Sequence, residues 1–600
     1  MSTQSKRAPG VLERGNDDVT EMPPAATLLT YRVRFPRLDA KWLVIGGAVG
    51  LAAWLSLVPL GFLLWQSFLT PETATMPAQF TFDNYRTAYW SVETLRVFGN
   101  SIEFAVGSAG LAFVIGTLFA WVNERTDTPF KSAFFALSLI PLVIPAVLFT
   151  VSWILLASPK IGIINVAIQN LFATDLVIVN VYSMGGMIFV DGLHQSPLAF
   201  LLMTAAFRST DPALEESALM CGATVLQIAW RMTLKLVWPA VVAVFLILFL
   251  RAIESFEVPT ILGLPVGIEV YTSSIYQAVQ TYPSNIGLAS SYAVALLVIA
   301  TLCVYMQSRT AAEVERFSTV AGKGFRPRVM RIGRWRFLAA AVFTAYLAIV
   351  VILPFLVLVW CSLQKFYVAP SMAALKNLTF DAYRSVFGYP IFASAVWNSL
   401  VLSVASATIV ALTTAVLCWI VARTRLPGRW LLDNLATLPL MFPGLVLGLA
   451  IMVCYLHLSI GVYGTLWIML IAYVTRFMPY GMRYNATSML ALHKELEESA
   501  TMSGASWGVA FWRVVLPLLK PGLIAGWIYV VIVSMRELSS SILLYSPGSE
   551  VLSIMIWEYW QNGQYVELSA LGVMMIASLL CLVLLERFAR RWFGIADPGL

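Results

Sequence analysis

LEESALMCGATVLQIAWRMTLKLVWP occupies positions 214–239, and LEESATMSGASWGVAFWRVVLPLLKP occupies 496–521, 282 residues later. The two copies share Leu, Glu, Glu, Ser, Ala, Met, Gly, Ala, Trp and Arg, and each leads into an apolar run. A periodic, Ala-containing stretch followed by Gly222 or Gly504 predicts a short helix with a break. Glu215 and Glu216, like Glu497 and Glu498, fall near the start of that helix, where its dipole favours negative charge. Leu516-Pro517 is expected to stop the helix that follows in the second copy. A capped surface helix would not need so many duplicated identities, which point instead to a docking element.

The setting of this loop follows from composition. Of 600 residues, 59% are hydrophobic and 12% charged, with a mean hydropathy of +0.79; soluble chains carry about twice that charged fraction. The chain therefore reads as an all-α integral membrane protein. Runs of about 20 apolar residues are needed to cross the hydrocarbon core as helix. Twelve are expected, near 42–67, 98–122, 132–157, 186–207, 236–257, 285–307, 337–362, 396–421, 430–456, 462–482, 521–541 and 566–586. The first is too long, and too deep behind a polar start of 41 residues, for a cleaved signal peptide. Lys and Arg crowd one set of loops, whereas 258–284, 457–461 and 542–565 have neither, so both termini are expected on the cytoplasmic side of the membrane. The net charge of +7 is then a matter of topology and lipid contact, with no nucleic-acid partner implied. Six scattered cysteines, without CxxC pairing, read as packing residues.

The repeat extends beyond the loop. TFDNYR at 81–86 returns as TFDAYR at 379–384, and Asn100-Ser101 as Asn398-Ser399, both offset by 298. Pro197 and Pro479 differ by 282, so the second copy lacks about 16 residues, assigned to the outer loop around 158–185. An even number of crossings separates equivalent points, which makes this a parallel repeat of two six-helix domains. The expected division is an N-terminal tail over 1–41, domains over 42–307 and 337–587, a basic linker over 308–336 and a C-terminal tail over 588–600.

Ionisable groups at membrane depth usually face a bundle interior or cavity. Arg251, Glu254 and Glu257 recur at three-residue spacing and so share a helix face, with Arg251 able to pair with Glu254. Arg536 and Glu537 are adjacent, which puts them on different faces of a helix. Two readings stand side by side: charges snorkelling to water at the outer interface, or a translocation path with Glu257 and Glu537 at its outer mouth. His194, His457 and His493 form no sequence cluster, and no metal site or catalytic constellation is expected. A GxxxxGK[ST] phosphate loop is absent from the sequence, and Gly322-Lys323-Gly324 is its nearest fragment.

EESAxMxGA, with the xLP ending of the second copy, resembles the EAA motif in permease subunits of ATP-binding cassette importers of the binding-protein-dependent type. Two copies in twelve spans resemble a fused pair of such permease domains. The resemblance implies coupling loops carrying Glu215, Glu216, Ala218 and Gly222, and Glu497, Glu498, Ala500 and Gly504, each seated on a nucleotide-binding subunit. It implies a separate cytoplasmic ATPase dimer that binds ATP and Mg, a periplasmic solute-binding protein, and no cofactor or enzymatic activity in this chain. The first copy departs from the pattern, with Met232-Thr-Leu-Lys235 in place of Ile-x-Leu-Pro. EVPTILGLP at 257–265 and ELSSSILLYSP at 537–547 resemble the ferric-iron branch, where carboxylates suit a hard cation. Polyamine, thiamine, phosphonate and sulfate remain alternative cargoes, and an ion-coupled secondary carrier the alternative class.

Overall fold

The computed structural model describes residues 40–72, 77–175, 177–209, 213–317, 329–424 and 428–592. The expected N-terminal tail lies outside them except for the start of the first helix, as do 318–328 of the linker and most of the C-terminal tail. Among the described residues, eight helices are long and apolar enough to cross a membrane, and three sharply bent helix pairs raise the number to eleven. Leu466–Ala491 is a further helix of 26 residues whose polar side chains, Arg476 and Arg483 among them, lower its hydropathy. The twelve expected elements are thus all helical, although three of the spans are not continuous.

Two of those breaks are the same event in each half. The expected span 132–157 turns through 99° between Lys131–Leu142 and Ala146–Ala157, and 430–456 turns through 108° between Arg429–Met441 and Gly444–Leu458. Pro141 and Pro439 start a 3-10 turn, and Pro145 and Pro443 are the N-caps of the helices that follow. Each proline lacks an N–H and crowds the preceding turn, so the helix ends and restarts in a new direction. The 16 extra residues of the first half carry a short helix, Ile163–Phe172, between Ala157 and Met184.

The repeated motifs do repeated work. Thr81 and Thr379 receive hydrogen bonds from the backbone N–H of Asp83 and Asp381 at the starts of Asp83–Trp90 and Asp381–Gly388. The hydroxyls of Tyr85 and Tyr383 tie these short helices to Ser67 and Ser362 at the end of each first span. Asn100 and Asn398 donate to the carbonyls of Glu269 and Glu550, while Ser101 and Ser399 accept from the N–H groups of Tyr271 and Leu552. Both pairs thereby fasten a short helix, Tyr271–Gln280 or Leu552–Gln561, to the long second helix of its half.

Close packing of the long helices relies on small residues. A Cβ on Gly116 would lie 2.4 Å from the Cβ of Ala199; in the second half the glycine has moved across the contact, to Gly481 against Thr414. Each half also lends its first helix to the other. Trp54 and Ser56 of Ala40–Gln66 donate to Tyr455 and the Leu435 carbonyl, whereas Tyr346 of the second half bonds Ser196, and Phe343 stacks on Phe119. The helix Ile286–Phe317 runs into the expected linker. The linker's far end pairs with the first half, where Asp127 N–H and Met330 N–H exchange hydrogen bonds with the Met330 and Arg125 carbonyls.

Candidate functional site

The repeated loops each form a short helix, Ala213–Met220 and Glu495–Met502. Gly222 and Gly504 both have φ of +86°, and the N–H groups of Ala223 and Ala505 reach back to the carbonyls of Ala218 and Ala500. This is a Schellman ending, which requires the left-handed conformation that glycine adopts without strain. The first Ala of the motif thus accepts the helix-terminating bond, and the Gly supplies the left-handed turn that lets the following Ala donate it.

The paired glutamates divide their roles. Glu215 is 4% exposed, lies 3.4 Å from the Arg125 Nε and accepts from the Thr233 hydroxyl. Glu497 accepts from the Trp419 indole and lies 3.6 Å from the Arg423 Nε. Arg125 and Arg423 are equivalent at the 298 offset, and each also donates to a carbonyl at the end of the helix before its loop, of Phe207 and of Met489. The first glutamate of each loop therefore turns inward as an anchor. Glu498 and Ser499 are exposed, Ala218 and Ala500 are half-buried, and Met220 and Met502 are 89% and 90% exposed. The side chain of Glu216 lies outside the description.

Beyond the loops, the chain departs from the expected stop at Pro517. A π-helical turn occupies Ala229–Thr233 in the first copy and Phe511–Val515 in the second. The wider turn accommodates the proline that follows, so Trp507–Met535 runs through Pro517 and Pro521 as one span. In the first half the helix is instead bent by 73° between Ala229–Leu236 and Trp238–Ile253. The atypical ending of the first copy accompanies this difference.

All five membrane-depth charges singled out by sequence meet in one place. Arg251, Glu254 and Glu257 of the first half and Arg536 and Glu537 of the second line a cavity of about 150 Å³. Asp191, His194, Gln195 and Arg476, not anticipated from sequence, line it too. The outer-interface reading is therefore set aside. The helices end at Ile253 and Met535, so Glu254, Arg536 and Glu537 lie beyond them, Glu257 starts the next helical stretch, and the face argument does not separate Arg536 from Glu537. The expected Arg251–Glu254 pair is also replaced. Among the described residues the ion pair in this cavity is Arg476 with Glu537, at 3.1 Å, while the Glu537 carboxylate further accepts from the N–H and hydroxyl of Ser540. Arg536 donates to the Leu142 carbonyl at the first-half helix break.

The position of the cavity follows from the repeat. Ser539 donates to Glu257 at 3.2 Å, and the two are 282 residues apart; residues that touch their own repeat equivalents lie on the axis relating the halves. Farther along, where Glu269 matches Glu550 at an offset of 281, Tyr276 packs edge-on against its equivalent Trp557, with Phe256 beside them. Trp557 and Phe256 are fully buried, so this aromatic cluster closes the axis on the face away from the loops. Toward the loops, a second cavity of about 240 Å³ shares Arg251, Glu254, Arg476, Tyr480 and Tyr529 with the first and reaches Arg483. The two charged cavities thus share a wall on the loop side of the Phe256, Tyr276 and Trp557 cluster.

The halves line this path unequally. Asp191, His194 and Ser255 correspond to Tyr473, Arg476 and Glu537 at the 282 offset. A Cβ on Gly444 would fall on the Arg476 guanidinium, so the second half carries glycine where the first has Ala146 near the slimmer His194. Arg476 and Asp191 sit inside long helices, and an isolated charge there was the signal that would have found them. His457 bonds its own helix through Val453, His493 is exposed, and no group of three or more metal-ligating side chains occurs among the described residues.

Comparison with known proteins follows the repeat. The family model for the binding-protein-dependent transport system inner membrane component matches twice, over residues 112–313 and 414–594. A ferric transport system permease protein of Actinobacillus pleuropneumoniae is 26% identical over 411 residues, 67% of this chain and 58% of that protein. An Fe(3+)-transport system permease protein of Haemophilus influenzae is 24% identical over 484 residues, 80% of this chain and 87% of the relative. A solved bacterial ABC transporter for import of the acidic polysaccharide alginate overlaps 44% of this chain and 99% of its own, at 16% identity and a TM-score of 0.35. With two matched domains spanning more than half its length, the chain belongs to the family of binding-protein-dependent transport system inner membrane components.

Proposed function

We propose that this chain is the complete translocation pathway of an ATP-driven importer, fused from two permease domains, and that its cargo is iron(III) received from a periplasmic binding protein. The observation that carries the reading is the pairing of two equivalent, exposed loops with one charged cavity on the axis between their halves. The loop face is taken as cytoplasmic, in keeping with the Lys and Arg bias, with both termini on that side. Each loop would seat on one subunit of a separate ATPase dimer, where ATP and Mg bind; Glu498, Met502 and Met220 offer the exposed contacts and Glu216 completes the motif. Closure of that dimer would draw the loops together. The anchors Arg125–Glu215 and Arg423–Glu497 would pass the motion to the long helices and open the seal beyond Glu257.

Iron is supported by the ferric transport relatives and by the carboxylates of Asp191, Glu254, Glu257 and Glu537 along the path. The test is uptake of radiolabelled iron(III) into proteoliposomes holding this chain, its ATPase and the loaded binding protein. Accumulation that requires ATP on the loop side supports the proposal. Binding-protein-stimulated ATP hydrolysis without iron uptake would remove iron and keep the class, whereas uptake driven by an ion gradient alone would return the secondary carrier.

A further inference from the structure

Three guanidinium groups share the axial cavity, and they are not equally occupied. Arg536 is engaged with the Leu142 carbonyl. Arg476 gives its Nε to Glu537, but its Nη1 is buried without a hydrogen-bond partner. Arg251, an exposed side chain, lines both cavities and is joined to no described residue by a hydrogen bond or ion pair. Guanidinium carries five donors in a planar fork that matches the oxygens of phosphate or carboxylate. The buried Arg476 Nη1 calls for an acceptor that the protein does not supply, and the exposed Arg251 side chain faces the same space with its donors open to an incoming group.

The charge balance agrees. Asp191, Glu254, Glu257 and Glu537 face Arg251, Arg476 and Arg536, so the wall is close to neutral. A bare trivalent cation entering this space would meet three positive groups together with the carboxylates. The same cation with an oxyanion on it would offer oxygens to Arg251 and Arg476 and its metal side to Glu254 and Glu257.

We propose that Arg251 and the free edge of Arg476 form a place for a small oxyanion of the phosphate or carboxylate class, so that the cargo crosses as an anion-bearing species. This rests on reading the cavity as the cargo path. Arg251 is the deciding position because no hydrogen bond or ion pair to a described residue occupies it.

The probe is radiolabelled inorganic phosphate, measured by equilibrium dialysis on the full chain in lipid nanodiscs, with citrate as competitor. Saturable binding is expected, displaced by citrate, at least tenfold weaker in Arg251→Gln, less weakened in Arg251→Lys and strengthened in Glu254→Gln. Absence of binding, or equal binding by Arg251→Gln with an unchanged melting profile, overturns the inference. The assembled importer then separates the two claims: retained iron(III) uptake alongside failed phosphate binding removes only the oxyanion site. Phosphate binding by the chain with no ATP-dependent uptake of iron(III) removes only the iron importer reading.

Discussion

At the residue scale, neighbouring side chains of one motif have opposite duties. Glu215 and Arg125 are buried together, and removing one partner of a buried pair costs about 3–5 kcal/mol because the other is left unpaired. Glu215→Ala is therefore expected to lower thermal stability sharply, as read by melting in detergent. Glu498→Lys, on an exposed side chain, should melt like the parent and lose association with the ATPase in a pull-down. Equal melting of both variants would remove the anchor role. Gly444 makes a second residue-scale prediction. Gly444→Ala forces Arg476 off Glu537 and should destabilise by about 1–3 kcal/mol through overpacking. Combining Gly444→Ala, Arg476→His and Glu537→Ser rebuilds the first half's Ala146, His194 and Ser255 and should recover most of that loss.

At the element scale, the loop helix is defined by how it ends. Gly504→Ala meets no neighbour, yet forces a side chain into the left-handed region at about 1–2 kcal/mol. Hydrogen exchange should quicken at Ser503, Gly504 and Ala505 while Leu552–Gln561 stays protected. Uniform quickening across the chain would contradict a local terminating role. The short helix and its glycine break were legible in sequence, because Gly after a periodic run has a specific backbone meaning. Pro517 was misread: a π-helical turn is a hydrogen-bond shift with no compositional mark, and it lets a helix continue through a proline. The broken spans at 142–146 and 441–444 were smoothed over for a related reason. Hydropathy averages over Pro141, Pro145, Pro439 and Pro443, and the apolar residues around them hide the change of direction.

At the scale of the whole molecule, the repeat made the architecture readable. Matched landmarks at offsets of 298 and 282 gave two parallel halves and placed the extra residues of the first, where the structure carries Ile163–Phe172. The charges of the axial cavity were only half legible. Those at helix ends stood out against apolar runs, but Arg476 and Asp191 become significant only when two long helices bring them to the axis. The exchange of first helices between the halves left no periodic signal at all, since Trp54 and Tyr455 are ordinary residues of apolar spans.

The central claim is that equivalent residues meet on an axis that opens when ATP is bound. Glu257→Cys with Ser539→Cys, in a chain whose six native cysteines are replaced, tests it directly. Without nucleotide, in the assembled complex, a short bifunctional methanethiosulfonate, which makes up the reach that cysteine loses against Glu257, should join the two positions, and reduction should restore whatever uptake the pair retains. With ATP trapped on the partner subunits, the cross-link should fall several-fold as the seal opens. Failure to cross-link in the resting state, or equal cross-linking with and without trapped ATP, would contradict the account.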